Sequence, residues 1–221
     1  MVAVSREFWD ARACNDAGFH AVMTRRWTQA QCEAVHRQMQ AVILQAALEY
    51  RADATFRLDL GCGTGNFLNL PPAVGATKLV LGVDLSHHMC LRAALSHASD
   101  PRVHVVRATV SALPVADATV SCALSVAVLQ HLPDLPALHR TAAELSRVLA
   151  PGAVVILLEG TRDAHIDATG RGPSLLGTTT TTLFSVDQYR QALRPALDLV
   201  LVEHMTFIED RYTCLVWRKQ S

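Results

Sequence analysis

The feature that most constrains the fold is a glycine-rich segment, residues 61–65, that directly follows the apolar run Phe56–Leu60. Its sequence is Gly-Cys-Gly-Thr-Gly, which lets the backbone turn sharply and approach a ligand without Cβ atoms in the way. We expect this segment to join a buried strand to a helix whose free N–H groups face the ligand. That arrangement is typical of an open α/β sheet with a binding site at its carboxyl edge.

The pattern around this segment alternates between short apolar runs and amphipathic stretches. Strands are predicted at residues 56–60, 79–84, 103–107, 120–124 and 153–158, with helices after Ser86 and over residues 136–149. The alternation implies a parallel sheet covered on both faces. Runs at residues 197–204 and 212–217 are close enough to pair as an antiparallel hairpin. The predicted fold class is therefore α/β, with a seven-stranded, doubly wound, mostly parallel sheet and an antiparallel C-terminal hairpin.

Residues 1–52 are predicted to form an N-terminal helical cap on the α/β domain, which would span residues 53–221. Thr28 and Gln31 have the spacing of a capping box, and apolar residues recur after them at helical intervals. Ser185 and Gln188 form a second capping box, which predicts the start of a later helix. Two interpretations of the aromatic residues of the cap are open: they cover a bound ligand as a lid, or they anchor the cap to the sheet. These residues are Phe8, Trp9 and Trp27.

Composition narrows the class of protein. Apolar residues make up 50% of the 221 residues and charged residues 18%, which favours a folded globular chain. Lys and Arg together number 20, as do Asp and Glu, so no basic excess indicates a nucleic-acid partner. No apolar run approaches the roughly 20 residues of a membrane span. The scattered cysteines indicate neither a disulfide framework nor a metal site, and we expect a cytoplasmic protein.

The spacing of the glycines separates two classes of cofactor. A dinucleotide-binding fingerprint, GxGxxG, would place its third glycine at position 66, which is Asn66. Asp59 lies two residues before the first glycine, where its carboxylate would repel a diphosphate and attract a cationic amino-acid group. An NAD-dependent oxidoreductase remains an alternative that Asn66 disfavours.

The segment from Asp59 to Gly65 resembles the first signature of the class I S-adenosylmethionine-dependent methyltransferases, acid-x-Gly-x-Gly-x-Gly. The resemblance extends over roughly residues 56 to 218 and implies a Rossmann-like domain with S-adenosylmethionine as its cofactor. It also implies that Asp59 contacts the amino group of the cofactor, while Gly61, Gly63 and Gly65 lie under its methionine end.

The same resemblance assigns the other end of the cofactor. It makes Asp84, at the end of the second strand, the ligand of the ribose hydroxyls. Leu113-Pro114 matches the segment that follows the third strand in this family, but the family's acidic position holds a threonine here. Pro71-Pro72 is a second departure, which shortens the helix after the glycine segment. The remaining cofactor-binding candidates are Leu85, Met89, Thr109, Val110 and Ser125.

Candidates for the acceptor site lie after the fourth and fifth strands. His131 is the first candidate for a general base, because imidazole titrates near neutral pH. Glu159 could act as a base or bind an amine, and an ordinary strand-end acid is the alternative for it. Candidates for substrate binding are Gln130, Arg162 and Tyr189, with His165 and the threonine run at residues 178–182 as further parts of the cleft. His87-His88 is interpreted as helix surface, because adjacent helical residues do not face one ligand.

The sequence therefore predicts an enzyme that transfers a methyl group from S-adenosylmethionine to an oxygen or nitrogen of a small molecule, with specialised metabolism as a candidate setting. The first alternative is a peptide or amine N-methyltransferase. The second is a protein that binds S-adenosylmethionine without catalysis, which Thr109 at the acid position keeps open. No nucleic-acid or membrane partner is predicted.

Overall fold

The computed structural model describes residues 5–53, 55–73, 75–165, 181–194 and 196–220. Within these ranges the strands are β1 (Phe56–Leu60), β2 (Leu79–Asp84), β3 (Val103–Arg107), β4 (Val120–Val126), β5 (Leu149–Glu159), β6 (Leu197–Phe207) and β7 (Asp210–Lys219). The α-helices are α1 (Arg6–Asn15), α2 (Gln29–Glu49), α3 (His87–Ser96), α4 (Leu135–Val148), α5 (Arg162–His165) and α6 (Val186–Leu193). Short 3₁₀ turns occur at Gly18–Ala21 and Leu129–His131.

The described strands form one seven-stranded sheet in the order β3-β2-β1-β4-β5-β7-β6. Strands β1 to β5 are parallel, whereas β7 runs antiparallel to both β5 and β6. The predicted fold class, including the C-terminal hairpin, is confirmed. The chain leaves β1 toward one edge of the sheet and returns at β4 toward the other, so a crevice opens between the carboxyl ends of these two strands.

Helices cover both faces of the sheet, because the central strands are buried on both sides. Leu58 and Leu60 of β1 join a core that includes buried residues of α4 and α6. On the opposite face, α2 packs against β4, β5 and β7 through a second core. A helix assigned to the N-terminal cap thus shares a core with the sheet, and the boundary at residue 52 stays a prediction.

Both capping boxes form as the sequence predicts. The backbone N–H of Gln31 donates to Thr28 Oγ1 at 3.2 Å, and the backbone N–H of Thr28 donates to Gln31 Oε1 at 2.8 Å. Ser185 and Gln188 make the same reciprocal pair at the start of α6. Each box satisfies N–H groups that the first helical turn leaves without partners.

The prediction of a helix directly after the glycine segment is wrong, because residues 61–69 form a series of turns. Hydrogen bonds from Gly65 N to Cys62 O and from Leu68 N to Gly65 O span only three residues. Pro71 and Pro72 lack the N–H groups that a helix needs and restrict the residue before them, so the turns do not extend into a helix. None of the described helices is long and apolar enough to cross a membrane.

Candidate active site

A cavity of about 420 Å³ opens at the carboxyl ends of β1 and β4. The glycine segment and Asp59 form one wall, and the N-terminal segment, residues 5–27, covers it. The loop after β4 (residues 127–131, the β4 loop) and the end of the β6–β7 hairpin complete the described walls. This hairpin end comprises the turn and the first residues of β7 (residues 208–212, the hairpin turn). The cavity therefore lies at the topological switch point, where open α/β sheets bind their ligands.

Asp59 is a buried carboxyl group that faces this cavity. Its side chain is 2% exposed, and no described residue donates a hydrogen bond to its Oδ2. Burial raises the pKa of Asp59 to about 7, the nearby charge of Arg57 opposes that shift, and Asp84 adds to it. Such a group gains most from a ligand that brings a positive charge to Oδ2.

The glycine segment is held in backbone conformations that side chains disfavour. Gly61, Gly63 and Gly65 have φ angles of +64°, +54° and +89°. A Cβ atom on Gly61 would lie 2.5 Å from Val128, and one on Gly63 would lie 2.7 Å from Val22. The N-terminal segment and the β4 loop therefore approach the glycine segment more closely than any side chain would allow.

Asp84 connects the end of β2 to the glycine segment. Its Oδ2 accepts a hydrogen bond from Gly63 N at 2.9 Å, and its Oδ1 accepts one from Ser86 N at 2.8 Å. Burial raises the pKa of Asp84, and these backbone donors lower it. The carboxylate fixes the geometry of the glycine segment through Gly63 N, and the ribose assignment stays a prediction.

His131 reaches the cavity from the β4 loop. Its ring lies 5.2 Å from the Trp9 ring in an edge-to-face arrangement, and no described residue hydrogen-bonds its Nδ1. Burial lowers the pKa of His131 to about 4, and the charge of Arg12 adds to the shift. The imidazole is therefore neutral at pH 7 and can donate or accept a hydrogen bond there.

Glu159 is fully buried at the end of β5 and holds the β4 loop in place. Its Oε1 accepts hydrogen bonds from Ser125 Oγ at 2.7 Å, Val128 N at 3.2 Å and Leu129 N at 3.1 Å. Its Oε2 accepts one from Gln130 N at 3.2 Å. These contacts direct both carboxylate oxygens into the β4 loop and away from the cavity wall. The hydroxyl of Ser125, a cofactor-binding candidate, donates one of these hydrogen bonds.

Comparison with known proteins agrees with this geometry. A family described as "Methyltransferase domain" matches residues 58–157. The chain is 39% identical over 103 residues to an uncharacterised 37.1 kDa protein in transposon Tn4556 of Streptomyces fradiae, covering 46% of this chain and 29% of that protein. It is 36% identical over 104 residues to demethylmenaquinone methyltransferase of Staphylococcus aureus strain MRSA252, covering 46% and 42%.

A solved structure resembles nearly the whole chain. The N-methyltransferase NodS of Bradyrhizobium japonicum WM9, in complex with S-adenosyl-L-homocysteine, superposes with a TM-score of 0.72 at 15% identity over 98% of both chains. Residues 58–157 thus match a methyltransferase domain, within a fold that S-adenosylmethionine-dependent methyltransferases share. The chain spans less than half the length of the two curated relatives above.

The described residues of the cavity fit S-adenosylmethionine as a cofactor. The unpartnered Oδ2 of Asp59 suits the ammonium group of the methionine end, and Gly61 and Gly63 line the cavity beside it. Arg12 lines the same cavity, pairs with Asp16 at 3.2 Å and donates to the carbonyl oxygens of His20 and Met23. Sequence reasoning missed Arg12, because no motif in α1 marks it.

The adenine candidates of the methyltransferase differ in their placement. Leu85 is 42% exposed after β2, and exposed Thr109 has its hydroxyl 3.1 Å from Ser111 Oγ. Val110 is partly buried against the main core. Met89 is 1% exposed and packs between α3 and the N-terminal segment. The structure thus brings three candidates to the carboxyl ends of β2 and β3 but places Met89 under α1.

Helix α1 is fixed to α3 from its middle and from its C-terminal end, an arrangement that sequence reasoning missed. Asp10 accepts hydrogen bonds from Ser86 Oγ at 2.6 Å and His88 Nδ1 at 3.2 Å. Arg92 donates to the carbonyl oxygens of Ala13 and Asp16 at 2.9 Å each. With Trp9 beside His131, these contacts make α1 both a cover for the cavity and an anchored element, so the two interpretations of its aromatic residues are compatible.

The substrate candidates separate into two groups. Gln130 lines the cavity, with its Oε1 accepting a hydrogen bond from Gly160 N at 2.7 Å. Tyr189 is fully buried in the core against Phe184, and the exposed Arg162 lies at the start of α5. The structure does not bring these last two side chains into the cavity. The His165 side chain and residues 178–180 lie outside the described residues, while Thr181 lines the cavity.

Arg57 is a further residue that sequence reasoning missed. It is 5% exposed within β1, and its guanidinium donates to Leu70 O at 2.7 Å and Leu68 O at 2.6 Å. These bonds hold the turns that replace the predicted helix. The signal in the sequence is a lone arginine in an otherwise apolar strand, two residues before Asp59 and therefore on the same face.

Proposed function

We propose that this methyltransferase transfers a methyl group to an oxygen or nitrogen of a small molecule bound in the described cavity. One observation carries the proposal: the same cavity that contains Asp59 continues past His131 to Trp27 and Tyr212. The carboxylate of Asp59, which is assigned to the cofactor, and a wall suited to an apolar acceptor therefore belong to one continuous cavity. A setting in specialised metabolism is part of the proposal.

The chemistry divides between the cofactor and the chain. When bound, S-adenosylmethionine supplies an electrophilic methyl carbon, to which the acceptor atom bonds as the carbon–sulfur bond breaks and its electron pair stays on sulfur, leaving S-adenosylhomocysteine. The chain supplies alignment, since an in-line displacement depends on the positions of its reacting atoms. His131 would hydrogen-bond the acceptor, and Glu159 would act through the β4 loop as a positioning residue.

A macromolecular acceptor fits the cavity less well. The N-terminal segment covers the cavity, with α1 fixed to α3 through Asp10 and Arg92. The zero formal net charge gives no general attraction to nucleic acid. We therefore propose a small-molecule partner and no nucleic-acid or membrane partner. All cysteines are free thiols, which supports a reducing, cytoplasmic location.

A peptide or amine N-methyltransferase is the second candidate function. NodS, an N-methyltransferase, shows that this fold supports nitrogen as an acceptor. Glu159, the candidate for amine binding, accepts hydrogen bonds from the β4 loop on both oxygens. These contacts of Glu159 therefore favour the first proposal, a small-molecule acceptor, over an acceptor amine bound by Glu159.

The test is release of S-adenosylhomocysteine from S-adenosylmethionine with separate pools of small hydroxyl compounds, small amines, peptides and RNA. We expect acceptor-dependent release only with a small-molecule pool, and we expect Gly63→Val to abolish it. Release with peptides or RNA alone would contradict the small-molecule acceptor. Tight cofactor binding without release in any pool would favour the non-catalytic alternative.

A further inference from the structure

The geometry points to one class of acceptor: we propose an aromatic molecule with an acidic hydroxyl, bound as its anion, so that oxygen is the methylated atom. The inference rests on the proposed function, because it concerns the part of the same cavity beyond the cofactor residues. It follows from three properties of the described walls: their aromatic character, their excess of positive charge, and the placement of their carboxylates.

Flat aromatic groups line the acceptor side of the cavity. Trp9 stands edge-on to Phe8, with ring centroids 5.1 Å apart, and edge-on to His131 on its other side. Trp27 is only 7% exposed, and Tyr212 begins the opposite wall on β7. Such walls favour a planar apolar ligand, because aromatic surfaces gain from stacked and edge-to-face contacts.

Positive charge exceeds negative charge around the same space. The described lining contains the arginines Arg12, Arg25, Arg26 and Arg211 and the carboxylates Asp59 and Asp210. Arg26 pairs with Asp210 at 3.2 Å, and Arg25 pairs with Asp16 at 2.7 Å. Asp59 is assigned to the ammonium group of the cofactor. Asp16 also pairs with Arg12, at 3.2 Å, so this one carboxylate offsets the charge of only one of Arg12 and Arg25. With Arg211, the lining therefore keeps an excess of positive charge that attracts an anion.

Arg12, Trp9 and His131 form a row along the wall. The guanidinium carbon of Arg12 lies 5.9 Å from the Trp9 ring centroid, and that ring lies 5.2 Å from the His131 ring. Burial is the main cause of the low pKa of His131, and the positive charge of Arg12 lowers it further. This second contribution comes from a field that disfavours a further positive charge. An anionic oxygen placed near His131 would be stabilised by the same field.

An ammonium acceptor meets the opposite conditions. It would enter a space lined by arginines. Neither lining carboxylate, Asp59 or Asp210, is left to pair with it, because Asp59 is assigned to the cofactor. Asp210 already pairs with Arg26, and the oxygens of Glu159 point into the β4 loop. A hydroxyl, by contrast, loses its proton to solvent more readily beside these arginines, and its anion then needs no general base.

Arg211 is the residue through which we test the inference. It is exposed at the beginning of β7, adjacent to Tyr212, and lines the cavity. Its recorded hydrogen bond is a long one, from Nη1 to Ala164 O at 3.4 Å. Arg140 is the matched control, because it is an exposed arginine of α4 that does not line the cavity.

The experiment is calorimetric titration of the protein saturated with S-adenosylhomocysteine, using three probes of similar shape. The probes, used at pH 8, are 4-nitrophenol as its phenolate anion, neutral 4-nitroaniline and the 4-nitrobenzylammonium cation. We expect the phenolate to bind about tenfold more tightly than the aniline and the cation more weakly than both, as for a charge-assisted contact. Arg211→Gln should reduce the phenolate preference about threefold or more, and Arg140→Gln should leave it unchanged.

Equal affinities for the three probes, tightest binding of the cation, or no binding of any probe would overturn the inference. So would an unchanged preference in Arg211→Gln. Each of these results is read only on protein that binds S-adenosylhomocysteine. Failure to bind that compound contradicts the proposed function instead, so the two failures are distinguishable.

Discussion

The cofactor side and the acceptor side of the cavity are built from different kinds of sequence. The cofactor side is a short continuous segment, residues 59–65, together with Asp84 at the end of the neighbouring strand. The acceptor side combines the N-terminal segment, the β4 loop and the hairpin turn, which are far apart along the chain. The first is set by backbone conformation and the second by tertiary packing.

This difference explains what each side can tolerate. Backbone positions with positive φ and close contacts allow almost no substitution, so the cofactor side has a recognisable sequence. The acceptor side is held by many side-chain contacts of modest individual worth, among them the Arg26–Asp210 ion pair. Substitutions on the two sides should therefore differ in size and in the measured quantity that they change.

The largest expected effect is that of Gly63→Val on cofactor affinity. A Cβ atom there would lie 2.7 Å from Val22 and would require the N-terminal segment to move. We expect S-adenosylhomocysteine affinity, measured by calorimetry, to fall about hundredfold or more, about 2.7 kcal/mol. Gly152→Val is the control, since Gly152 has φ +75° with nothing within 4 Å of its Cβ position. Equal losses in the two variants would show that strain alone is responsible.

Asp59→Asn should change affinity and stability in opposite directions. The pKa of Asp59 in the folded protein, about 7, lies above that of an aspartate in an unfolded chain, so the stability associated with Asp59 is present at low pH and is lost as pH rises toward 7. At pH 8 the variant should therefore be more stable than the wild type, with a free energy of unfolding higher by more than about 1 kcal/mol and a higher melting temperature. Its cofactor affinity should fall about tenfold or more.

The same titration makes cofactor affinity pH-dependent in the wild type. Binding an ammonium group requires ionised Asp59, so affinity should decrease as pH falls below about 7 and level off above it. Asp59→Asn should abolish this dependence, while Asp198→Asn, an exposed position on β6, should retain it. A variant that is less stable than wild type at pH 8, or that keeps the pH dependence, would contradict the assignment of Asp59.

Glu159→Gln should lower turnover about tenfold with little change in cofactor affinity, because it disturbs mainly the contact with Gln130 N. The substituted amide oxygen can keep the bonds from Ser125, Val128 and Leu129. A positioning role leaves the shape of the pH–rate profile unchanged. A loss of about a thousandfold or more, with an altered profile, would instead make Glu159 a general base.

The smallest effect is expected for Arg26→Gln on the acceptor side. The Arg26 side chain is 61% exposed, so loss of its pair with Asp210 should change stability by less than about 1 kcal/mol. Acceptor KM should rise a few-fold while cofactor affinity stays constant. An equal effect on cofactor affinity would mean that the two sides of the cavity are not separable.

The sequence was sufficient for the sheet, its C-terminal hairpin and both capping boxes, since each depends on local periodicity or spacing. It failed after the glycine segment, where Pro71-Pro72 and the buried Arg57 replace a helix by turns. The contacts of Glu159 with the β4 loop and of Asp10 with Ser86 join residues that are distant along the chain. No local pattern predicts such pairs, because the fold must first bring the elements together.

The central claim is that the cavity between β1 and β4 binds S-adenosylmethionine through Asp59 and the glycine segment. The most direct measurement is a thermal-shift titration with S-adenosylmethionine, S-adenosylhomocysteine and NAD in parallel on the wild type and Gly63→Val. The account predicts stabilisation of the wild type by both adenosyl compounds, about 2.7 kcal/mol at a hundredfold excess over Kd, and none by NAD. Stabilisation by NAD alone, or equal stabilisation of Gly63→Val, would contradict it.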